Sequence, residues 1–278
     1  MLTFLRRRKL GLTSVREISN FMKKESSFVR NDKLEDFNME DTKFLVRWGC
    51  TSNSGVSKGT ATLNKSDAIQ KVSDKLEFRR LLNEHKLCPF TFFDVESAVY
   101  PCIIRPRTHS QGRNLFLAET KEELIEIISK LDEWYGSELI KKSREFRVFI
   151  GSGRVIWVAN KIPADPDAIA WNVAQGGKFE NVRFDEWHLR SIKIAIQGWK
   201  LSGLDFGGVD VIVDENNKAY IVEINSAPSQ TSPYRQQCCA KYFDYIVENG
   251  KETIGLIDSL GGWKKFIHPA ISEAAILP

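Results

Sequence analysis

From Lys65 onward the apolar positions fall into a regular order. Ile69, Val72 and Leu76, then Phe78, Leu81 and Leu82, recur at helical spacing up to a stop at Cys88-Pro89. Phe90 to Val95 and Tyr100 to Pro106 have the pattern of short buried strands, the second ended by its proline. Thr120-Lys-Glu-Glu123 is a capping box, and Leu124, Ile127, Ile128 and Leu131 form the buried stripe of the helix that it opens. After Gly136 the period changes. Phe146 to Ile150 and Val155 to Ile162 flank Gly151-Ser-Gly-Arg154, which has the spacing and the residues of a hairpin turn. A helix over 187–201, strands over 208–213 and 219–225 and a helix over 239–247 follow, ahead of a tail rich in Gly, Trp and Pro. Residues 1–63 are less periodic. They predict a helix over 14–24 with Val15, Ile18 and Met22 on one face, a strand over 44–48, and a polar loop over 49–62. Short strands among helices, then long hairpins, predict an α+β fold with two lobes.

Composition narrows the class without naming a function. The chain has 278 residues, 42% of them hydrophobic and 27% charged, which excludes collagenous, coiled-coil and disordered classes. Forty Lys+Arg against thirty-six Asp+Glu leave a net charge of +4, too balanced for a dedicated nucleic-acid binder. No apolar run approaches the ~18 residues of a membrane span. The basic run Arg6-Arg7-Arg8-Lys9 lacks the apolar stretch and cleavage site of a signal peptide. Five cysteines without a Cys-x-x-Cys spacing fit reduced thiols, so a soluble cytoplasmic protein with no membrane partner is expected.

The most informative stretch is the hairpin around Asn216-Asn217. A two-residue turn there sets Asp210 directly opposite Glu223, and Asn225 shares the face of Glu223 by the period of two. Two facing carboxylates between apolar neighbours repel unless a positive charge lies between them. A hard divalent cation resolves this with an all-oxygen ligand set of two carboxylates and an amide. The competing explanation is the solvent-facing polar side of an ordinary hairpin, which also suits Asp214 and Glu215 at the turn.

Glu223-Ile-Asn225-Ser-Ala-Pro228 resembles the carboxyl-terminal metal motif of the ATP-grasp superfamily, and other segments agree with that family in order and spacing. Asp74-Lys75 ahead of a Leu-rich helix resembles its opening helix. Ile103-Ile-Arg105-Pro106 stands where the family has an apolar strand ending in Lys-Pro. Ser110-Gln-Gly112-Arg is similar to its phosphate-covering loop, Glu138-Leu-Ile-Lys141 to its hinge, and Glu145-Phe-Arg147 to its acidic-x-Arg strand. Asn172, followed by Gly176-Gly177, is placed as in the branch containing ribosomal-protein glutamylating ligases. The resemblance spans residues 64 to 240.

It implies an ATP-grasp fold in which two α+β lobes, 64–137 and 138–278, grip ATP behind a short N-terminal α/β segment, 1–63. It also implies ATP with Mg2+ or Mn2+ on Asp210, Glu223 and Asn225, and phosphate contacts from Lys75 and Arg105. Ser110 and Gly112 would cover the phosphates. Glu138, Leu139, Ile140 and Lys141 would line the adenine slot, and Glu145 would take the ribose. Arg147, Lys161 and Asn172 would act at the transferred group. Arg105 replaces the usual Lys, and Ala170 stands where related ligases often carry Arg, so the acceptor side is expected to be built differently. Arg235, after the metal motif, is a candidate partner for a carboxylate or a plain helix-start residue. Cys238 and Cys239 are expected to pack rather than react.

The implied activity is an ATP-dependent carboxylate–amine ligase that works through an acyl phosphate. Its partners are a carboxylate and an amine, with a macromolecular acceptor or a homo-oligomer left open by the short N-terminal segment. The rivals are a phosphotransferase acting on a hydroxyl, a nucleotide-binding module without turnover, and a ligase that adds an amino acid to a protein or nucleic acid.

Overall fold

Three sheets organise the chain in the computed structural model, which describes residues 1–7, 11–53, 56, 59–107, 114–165, 168–171, 176–251 and 264–271. The first sheet is parallel. β1 (Leu2–Arg6), β2 (Ser26–Arg30), β3 (Phe44–Trp48) and β4 (Ala61–Leu63) lie in the order β2-β1-β3-β4, with α1 (Leu12–Phe21) connecting β1 to β2. β1 and β3 are buried at every position, as suits the central strands of a sheet covered on both faces. Patterning anticipates α1 and β3 but neither β1, which runs into the basic cluster, nor β2, which is mostly half-exposed and has no clear alternation.

The long apolar pattern after Lys65 is two helices, α2 (Ser66–Ser73) and α3 (Lys75–Glu84). Asp74 breaks it. Its N–H donates to Gln70 O and closes α2, while its carboxylate accepts from Glu77 N at 3.3 Å and caps α3. Lys75 thereby becomes the first residue of α3.

The second sheet is small and antiparallel, in the order β5-β8-β6-β7: β5 (Thr91–Phe92), β6 (Cys102–Pro106), β7 (Phe116–Ala118) and β8 (Trp134–Glu138). With α4 (Lys121–Ile128) it buries its own core of Phe92, Cys102, Ile104, Ala118 and Leu124. The strand expected over 90–95 shrinks to Thr91–Phe92. The capping box forms with one change: Thr120 Oγ1 accepts from Glu123 N, but Glu123 reaches back to Glu119 N.

The third sheet carries the long hairpins. β9 (Lys142–Gly151), β10 (Arg154–Ile162), β11 (Lys178–Asn181), β12 (Phe206–Asp214) and β13 (Ala219–Asn225) run antiparallel in the order β11-β10-β9-β12-β13. α5 (Leu189–Ser202) lies on one face. A Cβ added at Gly198 of this helix would sit 2.2 Å from Ile221 Cδ1, so the glycine permits the close approach. α6 (Pro233–Asn249) and the first sheet cover half of the other face. There Trp48 stacks on Phe206 at 5.6 Å and Phe149 on Trp157 at 5.2 Å. α6 begins at Pro233 rather than Cys239, with proline in the first turn, where its missing N–H costs nothing. All five cysteines are free and buried. Among the described residues no helix is long and apolar enough to cross a membrane.

Asn64 ties the first sheet to the third. It is fully buried at the end of β4 with a positive φ of 59°. Its Oδ1 accepts from Asp205 N and Phe206 N at 2.8 and 3.1 Å, its Nδ2 donates to Phe206 O at 3.0 Å, and its N–H donates to Asp205 Oδ2 at 2.6 Å. Asn64→Ala leaves buried backbone groups without partners and is expected to destabilise the protein by about 2–4 kcal/mol, measured as a fall in the denaturant midpoint.

Candidate active site

The other half of this face of the large sheet is charged. Alternation along the strands brings Glu145 and Arg147 of β9, Lys161 of β10, Asp210 of β12, and Glu223 and Asn225 of β13 to one face. Asp210 is at the centre, in register with Arg147 on one side and Glu223 on the other. Arg147 holds it with two bonds, Nε to Oδ1 at 2.6 Å and Nη2 to Oδ2 at 2.8 Å. Lys161 Nζ is 3.4 Å from Oδ2 and also bonds Glu145 Oε1. Lys142 Nζ takes the other Glu145 oxygen at 2.7 Å. Gly208 makes room for the Arg147 side chain, because a Cβ there would lie 3.1 Å from the Pro228 ring and 3.4 Å from Arg147 Cδ.

The register between Asp210 and Glu223 has an unexpected origin. The turn is one residue longer than the two-residue turn at Asn216-Asn217 requires: Asn217 N bonds Asp214 O, Asp214 N bonds Lys218 O, and Asn217 alone takes positive φ. Continued evenly from Val211–Ile221, this pairing would set Asp210 against Val222 and turn Glu223 toward α5. A β-bulge corrects it. Val222 has no partner in β12, and Asp210 pairs with Glu223 after all. Arg79 of α3 donates to Val222 O at 2.6 Å, and Ile221 N donates to Leu87 O at 2.7 Å. The α3 segment therefore grips the bulge.

α3 also delivers Lys75, whose Nζ is 2.5 Å from Glu223 Oε1. Arg105 of β6 lines the same cleft, together with Lys75, Arg79, Tyr135 and Glu223. Burial opposes the charge on both carboxylates. At Asp210 the cations Arg147 and Lys161 outweigh it, and at Glu223 Lys75 does, so both carboxyl groups titrate below the usual range and are ionised at neutral pH. Lys161 is likewise opposed by burial but held charged by Asp210 and Glu145, whereas burial pulls Arg105 and Lys142 down. Two ionised carboxylates with Asn225 next along the same face form an oxygen donor set of the kind Mg2+ accepts. Among the described residues no three His, Cys, Asp or Glu side chains cluster as a metal cage.

Residues 90–239, more than half of the chain, match the RimK-like ATP-grasp domain. The chain belongs to that family. It is 30% identical over 187 residues to a probable alpha-L-glutamate ligase of Legionella pneumophila, a match that takes in 61% of this chain and 60% of that protein. A protein of the same description from Parasynechococcus marenigrum is 27% identical over 65% of this chain and 42% of its own length. The chain thus spans about 60% or less of the length of these two relatives. Among solved structures, the D-alanine–D-alanine ligase of Bacillus anthracis superposes with a TM-score of 0.66 at 16% identity, over 90% of this chain and 97% of that one. The ATP-grasp ligase PsnB, complexed with minimal precursor, Mg and ADP, gives 0.65 at 14% identity, over 89% and 96%. Both are likenesses of fold.

The ATP-grasp face gathers Lys75, Arg105, Glu145, Arg147, Lys161, Asp210, Glu223 and Asn225. Two other expected positions turn their side chains elsewhere. Glu138 Oε1 accepts from Phe90 N at 2.8 Å, and Lys141 is exposed and paired with Glu215 at 2.8 Å. Leu139 and Ile140 form the link between the small and large sheets. Both oxygens of Glu145 are engaged by lysines. Ser110, Gly112 and Asn172 lie outside the described residues. Sequence reasoning missed Arg79, Lys142 and Phe179. Lys142 had a usable signal, a second basic residue beside Lys141 at the start of a strand. Arg79 had none, since its bond to the bulge arises only when α3 packs against β13.

Arg79→Met should lower stability by about 1–3 kcal/mol, because it strands the Val222 carbonyl. It should also weaken Mg2+-dependent ADP binding about tenfold, measured by denaturant titration and calorimetry. Carboxyl groups depressed in the folded state add stability that is present above the unfolded value of about 4 and is lost as pH falls through the folded one. The melting temperature should accordingly fall on acidification below that point, with a shallower fall in Asp210→Asn.

Proposed function

We propose that this protein is an ATP-dependent carboxylate–amine ligase that forms an amide through an acyl phosphate. The observation that carries the reading is the in-register opposition of Asp210 and Glu223 beside Arg147, Lys161, Lys75 and Arg105, in a chain of the RimK-like ATP-grasp family. Lobes 64–137 and 138–278 would hold the nucleotide between them, with residues 1–63 completing the substrate side. Asp210, Glu223 and Asn225 would hold Mg2+, which when bound neutralises and aligns the polyphosphate oxygens.

The residues present suit each demand of that chemistry. A carboxylate resists amines because oxide and hydroxide leave poorly. Transfer of the γ-phosphoryl group to a carboxylate oxygen releases ADP. The amine nitrogen then attacks the acyl carbon, the C–O bond to phosphate breaks, and the amine loses a proton. Lys75 and Arg105 approach from α3 and β6, on the Glu223 side, and would bind the polyphosphate. Arg147 and Lys161 are held rigidly by Asp210 and Glu145 and would face the charge that grows on the transferred group. Their orientation exists before substrate arrives, so little reorganisation opposes the reaction. Burial of Asp210 and Lys161 keeps the local dielectric low and strengthens each of these contacts.

The reactants in this reading are ATP, a carboxylate and an amine, the last free or carried on a macromolecule. The test is a screen of single carboxylates with an amine pool and ATP, reading new masses. The expected result is an amide, with ADP and free phosphate in equal amounts; a phosphorylated acceptor without amide would overturn the reading. Glu223→Gln should cut turnover by about a thousandfold, on the order of 4 kcal/mol in barrier, with the fold retained by circular dichroism. EDTA should abolish turnover in the wild type, and Mg2+ should restore it.

A further inference from the structure

The cations assigned to the nucleotide lie on the Glu223 side of the sheet. A further one lies at the opposite side, toward β11. Arg235, in the first turn of α6, is only 3% exposed. Its Nη2 donates to Thr231 Oγ1 at 3.3 Å, and its Nε has no acceptor. Among the described residues no carboxylate faces it: burial and the charge of Arg147 draw its pKa down to about 10, with only the Cys239 thiol opposing them. It is still charged at neutral pH.

Its surroundings point to a ligand. The guanidinium lies 5.5 Å from the ring centroid of Trp157 and 5.3 Å from that of Phe179. The Phe179 ring is shared, with Arg147 at 4.8 Å and Lys161 at 5.7 Å. Those two are neutralised by Asp210 and Glu145; Arg235 is not. Asn181, two residues beyond Phe179 and on the same face of β11, donates from Nδ2 to Ser232 Oγ at 3.1 Å, while its buried Oδ1 has no donor. An orphaned donor and an orphaned acceptor thus flank the Thr231–Ser232 entrance to α6. A buried cation held between two rings without a counter-charge is unfavourable in the free protein, and an anion seated there would relieve it.

We infer that Arg235 recognises a carboxylate of the second reactant, one that is not itself activated, between Trp157 and Phe179 and across the metal carboxylates from Lys75 and Arg105. The inference rests on the ligase reading of the site and extends it to a substrate with an acidic group beyond the reacting one. Guanidinium suits this role because its fork matches a carboxylate with two parallel bonds, and the flanking rings hold it flat. Arg235 is a specificity residue in this arrangement and takes no part in phosphoryl transfer.

The test compares the wild type with Arg235→Met and Arg235→Lys by calorimetry with ADP, glutarate and inorganic phosphate, and by thermal melting. Calorimetry with ADP and Mg2+ should give the same affinity in all three proteins. With ADP and Mg2+ present, the dicarboxylate glutarate should bind the wild type, bind Arg235→Met at least about tenfold more weakly, and bind Arg235→Lys at an intermediate level; its neutral diamide should bind none of them. Without ligand, Arg235→Met should melt no lower than the wild type, since it removes a buried unpaired charge. A Met variant that melts well below the wild type yet binds glutarate normally would make Arg235 a packing residue and overturn the inference. Loss of inorganic phosphate binding with glutarate retained would assign Arg235 to the phosphoryl group and overturn it equally. A wild type that binds ADP with Mg2+ but not glutarate defeats the subsite alone, whereas failure to bind ADP defeats the ligase reading beneath it.

Discussion

Val211 pairs with Ile221, and Asp210 pairs with Glu223, so strand β13 spends one residue, Val222, without a partner. In a structure whose side chains alternate every residue, that extra residue decides which face Glu223 occupies. With it, the two carboxylates meet on the charged face; without it, Glu223 would point at α5 and the apolar core. The bulge is held from outside the sheet, by Arg79 on the Val222 carbonyl and by the Leu87 carbonyl on the Ile221 amide. The same segment brings Lys75 to Glu223. One helix therefore sets the register of the acidic pair and supplies a cation that neutralises it.

The charged face is ordered by its own ion pairs. Asp210 and Glu223 are driven toward protonation by burial and kept ionised by Arg147, Lys161 and Lys75. The cations are immobilised in turn: Arg147 by a two-bond grip on Asp210, Lys161 between Glu145 and Asp210. Such a lattice of charge is costly to bury and contributes little net stability over an apolar equivalent. Its value lies in orientation, because donors already in place need not move as charge develops. Arg105 and Arg235 extend the lattice toward opposite sides of the sheet, over the cleft beside Glu223 and over the Phe179 ring.

The large sheet divides this work along its strands. One half of its site face buries an aromatic block under α6 and the N-terminal sheet, with Trp48, Phe206 and Phe243 in mutual contact. The other half carries the charges. β9 passes from one environment to the other within a few residues, from Phe149 to Arg147 and Glu145 on the same face. The rigid apolar half anchors the strands that position the polar half, which is why a site so rich in charge can stay ordered.

The hairpins of the large sheet, the helix over 189–202 and the acid pair were legible because they rest on local periodicity and on residue types with few alternatives. Asp210 and Glu223 were even placed opposite each other, though through a turn one residue too short; the longer turn and the bulge cancel. The break at Asp74, the strands β1 and β2 and the early start of α6 were missed, because each depends on packing partners far along the chain. The same holds for Arg79, Lys142 and Phe179, whose roles exist only through Val222, Glu145 and the cations around one ring. By itself the sequence determined which residues are candidates for the chemistry and which alternate onto a common strand face, since both follow from side-chain identity and the period of two. Only the tertiary structure decided the register, the pairing of every charge and the isolation of Arg235, because these depend on contacts between segments whose separation along the chain carries no local signal.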